Sequence, residues 1–384
     1  MRVLHTSDWH LGRTFHGRDL LAEQESVLGA LADLVADERV GVVVVSGDLY
    51  DRAVPSAEAV AAGTRVLARI RAAGAEIVVT PGNHDSAPRL GAFGEFAAAG
   101  GLHLRTQVAR LADPVCVEDE HGPVAFYGIP YLEPDPARHA LGVPELRGQH
   151  GVLSEAMNRV RSDLAGRAAG TRSMVLAHAF VTGGAESDSE RPIAIGGVDQ
   201  VAASVFDGVD YVALGHLHGP QRLAEHLRYS GSPLAYSFSE AAHRKSVWLV
   251  ELGPDGLTGV ERRELPVPRK LATLTGELEE LLVRPEAEDV LDCYLSVTLT
   301  DPVRPVDGMR RLRERFPHAV RMDWEPPGGR LRESLRYNRI AHERDDQRIV
   351  GEFLADCRGS EPSAAERLLL ADAFAAVRRA EVST

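Results

Sequence analysis

The chain has 384 residues, of which 43 are Lys or Arg and 56 are Asp or Glu, giving a formal net charge of −13. That balance excludes a uniformly basic nucleic-acid binder, because neutralising phosphates takes a local excess of Lys and Arg, so any contact with DNA or RNA has to be local or lent by a partner. At 44% hydrophobic and 26% charged the composition is that of a globular protein with a sizeable core, and roughly 100–200 residues per domain predicts two or three domains.

In chain order, Met1–His5 runs straight into polar Ser7-Asp8. No apolar run approaches the roughly 20 residues of a spanning helix, so neither an export signal nor a membrane anchor is expected, and a cytoplasmic location is. Strands are predicted at Val42–Val45, Ile77–Val79, Val124–Tyr127, Met174–Leu176 and Tyr211–Leu214. Continuous apolar runs of this length imply strands covered on both faces. Between them Glu23–Asp37, Ser56–Arg71 and Val152–Arg167 carry apolar residues at helical spacing, so the first 265 or so residues read as layered α/β structure. Leu265-Pro266-Val267-Pro268 interrupts both patterns and predicts a domain boundary. Beyond it a strand at Cys293–Leu299, an arginine-dense helix at Gly308–Arg315 and a strand at Ala319–Trp324 predict a small α+β module, closed by a loop at Pro326-Pro327-Gly328-Gly329. The last 40 residues read as helical: Gln347–Cys357, a turn at Arg358-Gly359, then Ser363 and Glu366 at capping-box spacing ahead of Leu368-Leu369-Leu370. The cysteines Cys116, Cys293 and Cys357 are widely spaced, which supports neither a disulfide framework nor a zinc ribbon and fits a reducing compartment.

The chemistry lies at the strand exits. Asp8 and His10 follow the first strand, Asp48 and Asp51 the second, Asn83, His84 and Asp85 the third, His178 the strand at Met174–Leu176, and His216 and His218 the strand at Tyr211–Leu214. In an open α/β sheet the crevice at the strands' carboxyl ends binds ligands, so residues far apart in sequence can converge there. Carboxylate, imidazole and one carboxamide oxygen suit divalent cations such as Mn²⁺ or Fe²⁺, and no thiolate is present to favour structural zinc. Asp8, His10, Asp48, Asn83, His178, His216 and His218 are more candidate ligands than one catalytic metal takes. Two metals are the simpler explanation, with Asp48 most economically shared between them at about 3.5–4 Å separation. Gly47, Gly82 and Gly215 each precede a candidate ligand, where a sharp backbone turn is expected.

Asp8-Trp9-His10, Gly47-Asp48-Leu49-Tyr50-Asp51, Gly82-Asn83-His84-Asp85, the lone His178 and Gly215-His216-Leu217-His218 resemble, in order and spacing, the motifs of the calcineurin-like metallophosphoesterases. His5–Gly12, Gly128-Ile129-Pro130-Tyr131 and Tyr229-Ser230-Gly231-Ser232-Pro233 further resemble the nuclease D-subunit family of bacterial SbcCD complexes, closely over roughly the first 265 residues and in outline beyond. The resemblance implies a four-layer α/β/β/α phosphoesterase domain over residues 1–265, a small α+β capping domain over 266–342 that contacts DNA, and a helical tail over 343–384 that binds an ATPase partner. It implies two Mn²⁺ ions, or other divalent cations such as Mg²⁺ or Fe²⁺, one held by Asp8, His10, Asp48 and His218 and the other by Asp48, Asn83, His178 and His216. His84 would be a catalytic, non-ligand histidine that stabilises charge or protonates the leaving oxygen, with Asp85 holding its ring by a hydrogen bond. The implied activity is 3′→5′ exonucleolytic cleavage of duplex DNA and endonucleolytic cleavage of single strands and hairpins. The implied assembly is a homodimer within a heterotetramer with an SbcC-type coiled-coil ATPase, serving DNA repair, recombination and replication. Archaeal relatives carry histidine three residues after the shared aspartate, where this chain has Asp51.

Plainer readings stand beside these. His5 is expected to be a packed core histidine, and Trp9 a wall of the site, with stacking on a nucleobase as the sharper alternative. Asp51 either caps the helix that begins near Ser56 or hydrogen-bonds a ligand. Arg13 and His16 are loop residues unless they touch a substrate phosphate. Leu90, Phe93 and Phe96 have core-face spacing, although relatives dimerise through helices near this position. Residues 301–350 hold 12 Arg against 9 Asp and Glu, which fits an ion-paired surface from composition and, by resemblance, a phosphate-contacting role for Arg310, Arg311, Arg313 and Arg315. Leu368–Leu370 and Phe374 either pack on the body or dock a partner chain. The alternatives at the level of function are a metallophosphoesterase for proteins or small phosphate esters, and a non-catalytic scaffold.

Overall fold

Apolar strands that alternate with amphipathic helices produce two mixed sheets in the computed structural model, which describes residues 1–190, 200–327, 350–351, 353–355 and 360–382. The chain divides into two units, Met1–Lys270 and Leu271–Thr384. In the first unit the elements run β1 (Arg2–Thr6), β2 (Thr14–Phe15), β3 (Arg18–Asp19), α1 (Leu21–Asp37), β4 (Val42–Ser46), α2 (Ala57–Ala72), β5 (Glu76–Thr80), α3 (Ala87–Leu90), α4 (Gly94–Ala99) and β6 (Leu102–Leu104). They continue with β7 (Val115–Asp119), β8 (Gly122–Gly128), α5 (Pro134–Ala140), α6 (Gly148–Ala165), β9 (Arg172–His178), β10 (Tyr211–Gly215), β11 (Gln221–Arg222), β12 (Leu227–Tyr229), β13 (Ser246–Gly253) and β14 (Gly256–Glu264).

One sheet has the order β14-β13-β1-β4-β5-β6 and the other β11-β12-β10-β9-β8-β7. Strands β1, β4, β5 and β6 are mutually parallel, as are β8, β9, β10 and β12, while β13, β14, β7 and β11 each pair antiparallel with a neighbour. Side chains alternate across each strand, so each central strand feeds two cores. Val3, Val42, Val44 and Val78 from one sheet meet Phe126, Met174, Leu176, Tyr211 and Ala213 from the other in a buried layer between the sheets. The opposite face of the second sheet, including Tyr127, Val175, Ala177 and Val212, packs on α5 and α6 through Leu141, Val152, Met157 and Val160. On the first sheet Leu4, Val43, Val45, Ile77 and Val79 are equally buried, and α1 and α2 bury Val27, Leu28, Leu31, Val35, Val66 and Ile70. The result is a four-layer α/β/β/α arrangement. His5 is part of this packing, its ring nitrogens bonded to Tyr211 Oη at 3.1 Å and the Leu214 carbonyl at 3.0 Å.

Where an apolar spacing of three ran through Leu90, Phe93 and Phe96, the structure forms no single helix. Phe93 takes a left-handed φ of 59° between α3 and α4, and Phe93 and Phe96 are 86% and 83% exposed rather than buried as a core face would be. The second unit contains a parallel sheet of β15 (Leu271–Gly276), β16 (Tyr294–Leu299) and β17 (Ala319–Trp324). Helices α7 (Leu278–Val283) and α8 (Gly308–Arg315) close its core through Leu278, Leu281, Leu312 and Phe316. Helix α9 (Ala364–Val382) starts with the reciprocal bonds expected of a capping box: Ser363 N–H donates to Glu366 Oε2 at 2.7 Å, and Glu366 N–H to Ser363 Oγ at 3.3 Å. Cys357, the turn at Arg358-Gly359, most of the helix expected over Gln347–Cys357 and the boundary expected between 342 and 343 lie outside the described residues. Among the described residues no helix is long and apolar enough to cross a membrane, and neither Cys116 nor Cys293 is in a disulfide.

Candidate metal centre

Aligned strand ends bring the polar motifs together. Thr6 is level with Val45 and Ser46 with Thr80 in one sheet, and Gly215 with His178 in the other, so the carboxyl ends of β1, β4, β5, β9 and β10 open at one place. The expected crevice at the strands' carboxyl ends is thus a rim shared by the two stacked sheets. Past the strand ends the first two loops remain zipped: Asp8, His10 and Leu11 donate N–H bonds to the carbonyls of Gly47, Asp48 and Leu49 at 3.1, 2.9 and 3.0 Å. This ladder of three bonds fixes Asp8 and His10 relative to Asp48.

The backbone at these positions is unusual. Asp8, His10 and Asp48 have φ of 54°, 46° and 51°, and His216 has 109°, a region that side chains with a Cβ rarely adopt. Strain at that many neighbouring positions is held only where the surroundings over-determine it, as functional sites do. The glycines serve close approach more than turning. A Cβ on Gly215 would lie 1.8 Å from the Ser46 carbonyl oxygen and one on Gly82 2.1 Å from Asp48 Oδ1; of the three glycines that precede a ligand only Gly47 has positive φ, at 91°.

Single donor atoms of Asp8, His10 and His218 lie within 4.8 Å of one another, as do those of Asp8, Asp48 and His178, and of His10, Asp48 and His84. Asp48 Oδ2 is 3.5 Å from His10 Nε2 and 3.5 Å from His178 Nε2, which puts it between two donor groups. His10 Nε2 and His218 Nε2 are 3.1 Å apart, and His178 Nε2 is 2.9 Å from Asn83 Oδ1. Separations of this size are what donors about 2.1 Å from a common cation have. His216 Nε2 and His10 Nδ1 are buried without a hydrogen-bond partner among the described residues. Orphaned imidazole nitrogens beside two buried carboxylates fit a divalent cation better than any protein partner.

Electrostatics points the same way. Burial, followed by the neighbouring Asp48 charge, raises the Asp8 carboxyl well above its usual range. Burial, and then nearby histidines and Arg13, holds His10 well below its ordinary value; burial and neighbouring histidines do the same to His216, and burial brings His178 down to about 4. Buried neutral imidazoles have the protonation state a metal requires, and cations would relieve the repulsion between the carboxylates.

Several surrounding residues were not evident in the sequence. Gln24 is buried on α1, and its Nε2 donates to the carbonyls of Trp9 at 3.1 Å and His10 at 2.7 Å. Tyr236 Oη donates to the same Trp9 carbonyl at 2.5 Å. Ser189, Glu240 and Lys245 form a chain to His218, and Ser7 Oγ donates to Asp8 Oδ2 at 2.5 Å. These are ordinary polar residues whose roles depend on distant packing, so no local spacing marks them.

Some expectations are revised. Where a bond to the His84 ring was expected, the Asp85 carboxylate accepts backbone N–H bonds from Leu49, Tyr50 and Gly82 at 3.1, 3.0 and 2.9 Å, fastening the second motif to the third. His84 Nδ1 bonds the Asp51 carbonyl at 2.8 Å, and its backbone N–H donates to Asp48 Oδ1 at 2.9 Å. Trp9 is fully buried with its indole N–H on Thr6 Oγ1 at 2.9 Å, so its ring is not exposed to stack on a base. Ser56, not Asp51, caps α2, while Asp51 Oδ1 lies 3.6 Å from His10 Nδ1 and from Arg13 Nη1. Arg13 stacks over Tyr236 with its guanidinium carbon 4.9 Å from the ring centroid.

The arginines of α8 belong to the second unit and are engaged there. Arg310 pairs with Asp307 and Glu314, Arg311 with Glu279, Arg313 bonds the Ala319 carbonyl, and Arg315 the carbonyls of Leu282 and Arg284.

Residues 1–220 match the family described as calcineurin-like phosphoesterase, and residues 267–358 match SbcD_C, described as the type 5 capsule protein repressor C-terminal domain. Among solved structures, TT1561 of Thermus thermophilus is similar at 14% identity with a TM-score of 0.41, over 68% of this chain and 98% of its own. A dimetal phosphatase from Danio rerio is similar at 15% identity with a TM-score of 0.37, over 69% and 98%. Family and donor geometry together support a metal-dependent phosphoesterase with two divalent ions. The first match takes in more than half of the sequence, so the chain belongs to the calcineurin-like phosphoesterase family, and the SbcD_C match beside it supports an SbcD-type nuclease subunit.

Proposed function

We propose that this chain is the Mn²⁺-dependent DNA nuclease subunit of an SbcCD-type complex. In this reading it cleaves duplex DNA exonucleolytically from 3′ to 5′ and single strands and hairpins endonucleolytically, in repair, recombination and replication. The observation that carries the reading is the joining of a phosphoesterase donor cluster to a C-terminal SbcD_C region in one chain. The complex is cytoplasmic and built on a homodimer, with an SbcC-type coiled-coil ATPase on the tail over 343–384 and a DNA-contacting cap over 266–342.

Asp8, His10, Asp48 and His218 hold one ion and Asp48, Asn83, His178 and His216 the other. When bound, two such cations polarise the phosphodiester, offset its developing charge and make water a better nucleophile. The carboxylate of Asp48, between the donor groups, sets their spacing. With Nδ1–H committed to the Asp51 carbonyl, the proton that His84 can exchange is on Nε2, which is how a half-buried histidine at the rim delivers a proton to a leaving oxygen. Asp85 positions that histidine through the backbone, by tying Gly82 to Leu49 and Tyr50.

The test is Mn²⁺-dependent cleavage of end-labelled duplex and hairpin DNA by wild type and His84→Ala, with metal content measured in parallel. The expected result is retained metal and cleavage slowed by about 10²–10⁴-fold. Equal cleavage by both proteins removes His84 from the chemistry, and no cleavage of either DNA by a metal-loaded wild type removes the nuclease reading.

A further inference from the structure

A buried polar chain ends on one of the metal-facing histidines. Glu240, fully buried, carries the Lys245 ammonium on Oε2, and Lys245 completes its donors on the His218 carbonyl at 2.9 Å and Ser232 Oγ at 3.0 Å. The Glu240 Oε1 atom accepts from Ser189 Oγ at 2.5 Å and from Tyr236 N–H at 3.2 Å. Ser189 Oγ in turn is 2.5 Å from His218 Nδ1.

The proton count leaves one arrangement. An ionised carboxylate only accepts, so the single Ser189 hydroxyl proton goes to Glu240, and Lys245 keeps Glu240 ionised. The adjacent Ser187 hydroxyl, 3.1 Å from Ser189 Oγ, has its own acceptor in Glu190 Oε2 at 2.7 Å. Ser189 can then only accept from His218, which puts the imidazole proton on Nδ1 and the lone pair on Nε2. That lone pair faces His10 Nε2 at 3.1 Å, within the donor group that also includes Asp8. Glu190 Oε1 adds a second hold on the same residue by accepting the His218 backbone N–H at 2.8 Å. The geometry points to Ser189 as a positioning residue, backed by the buried Glu240–Lys245 pair, that fixes the tautomer and direction of His218 and so the affinity of one of the two metal positions.

Ser189 and Glu190 lie between β9 and β10, so the segment after His178 is fastened to a ligand in the loop that follows β10. Outer partners of this kind typically set metal affinity by 10- to 100-fold. Ser189 is the residue to replace, because removing Glu240 leaves an unpaired ammonium in the core and tests folding instead.

This inference rests on the proposed metal centre, and two measurements on the whole chain separate them. In the first, metal-free wild type, Ser189→Ala and Ser189→Thr are titrated with Mn²⁺ alone. Wild type is expected to take up two ions, Ser189→Ala to lose about 10- to 100-fold in affinity at one position only, and Ser189→Thr to recover it. Two wild-type affinities in Ser189→Ala overturn the role of Ser189. In the second, nitrogen NMR of histidine-labelled, metal-free protein is expected to show His218 protonated on Nδ1 in wild type and mixed between tautomers in Ser189→Ala. An unchanged tautomer overturns the inference even where the protein still folds, whereas a wild type that binds no Mn²⁺ overturns the metal centre itself.

Discussion

At the scale of single residues, candidate donor types at strand exits were legible because the chemistry restricts them to Asp, His and Asn. The reason for each glycine was not. Gly215 was expected to turn the chain, yet its φ is unremarkable and the constraint is the Ser46 carbonyl of a strand in the other sheet, 1.8 Å from where a Cβ would sit. His5 shows what an ordinary spacing argument does reveal: a histidine before the strand exit is core. Burial pushes its pKa down to about 3, against 6.5 in the unfolded chain. Between those values the unfolded state binds the proton and the folded state does not, so stability is intact above pH 6.5 and falls as the pH drops toward 3. His178, held near 4 by burial, acts with the same sign. Urea unfolding of metal-free protein between pH 6.5 and 4.5 should therefore lose about 1.4 kcal/mol per pH unit for each such histidine. His5→Gln is expected to be less stable at pH 7 and to have a slope smaller by about one proton. A slope identical to wild type contradicts the assignment of His5 as a neutral core residue.

At the scale of elements, regular amphipathic or doubly buried segments were readable, including Gly308–Arg315 and Ala319–Trp324 to the residue. The long β13–β14 hairpin and β15 were not, because their half-exposed faces mix charged and apolar residues without a clean period. Helix α8 also shows how charge pattern under-determines use. Its four arginines look equivalent in sequence, but Arg310 is 67% exposed in exposed ion pairs, while Arg315 bonds two carbonyls at the C-terminal end of α7 and packs over Phe316. Exposed pairs contribute little, whereas charged hydrogen bonds to otherwise unmet carbonyls contribute more. Arg315→Ala is expected to destabilise the second unit by about 1–3 kcal/mol in thermal unfolding. Arg310→Ala should stay within about 0.5 kcal/mol of wild type. A DNA-binding assay then separates the roles: loss of affinity in Arg310→Ala without loss of stability marks a phosphate contact, and unchanged affinity together with an unchanged salt dependence removes it.

At the scale of the whole molecule, periodicity indicated strands buried on both faces but carried no information about what covers each face. That is why the two stacked sheets came from the motif resemblance and not from the periodicity: Val42 and Val43 are equally apolar, yet one faces the other sheet and the next faces the helices. The net charge of −13 acquires a different meaning in this frame. Asp8 and Asp48 contribute to it while facing a site suited to cations, whose charge the formal count omits. The local arginine excess, 12 against 9 acidic residues, falls in residues 301–350 of the second unit. Metal chemistry and duplex affinity should therefore be separable along the chain. A protein ending at Lys270 is expected to bind two Mn²⁺ ions and hydrolyse a small diester such as bis(p-nitrophenyl) phosphate within about tenfold of the whole chain, since every proposed ligand lies in the first unit. The same truncation should weaken binding to duplex DNA and lower the slope of log K against log salt by about 2–4, the loss of a few phosphate contacts. Diesterase activity lost together with metal would show that the first unit does not complete the site alone, whereas an undiminished salt slope would place the DNA grip on the first unit or on a partner.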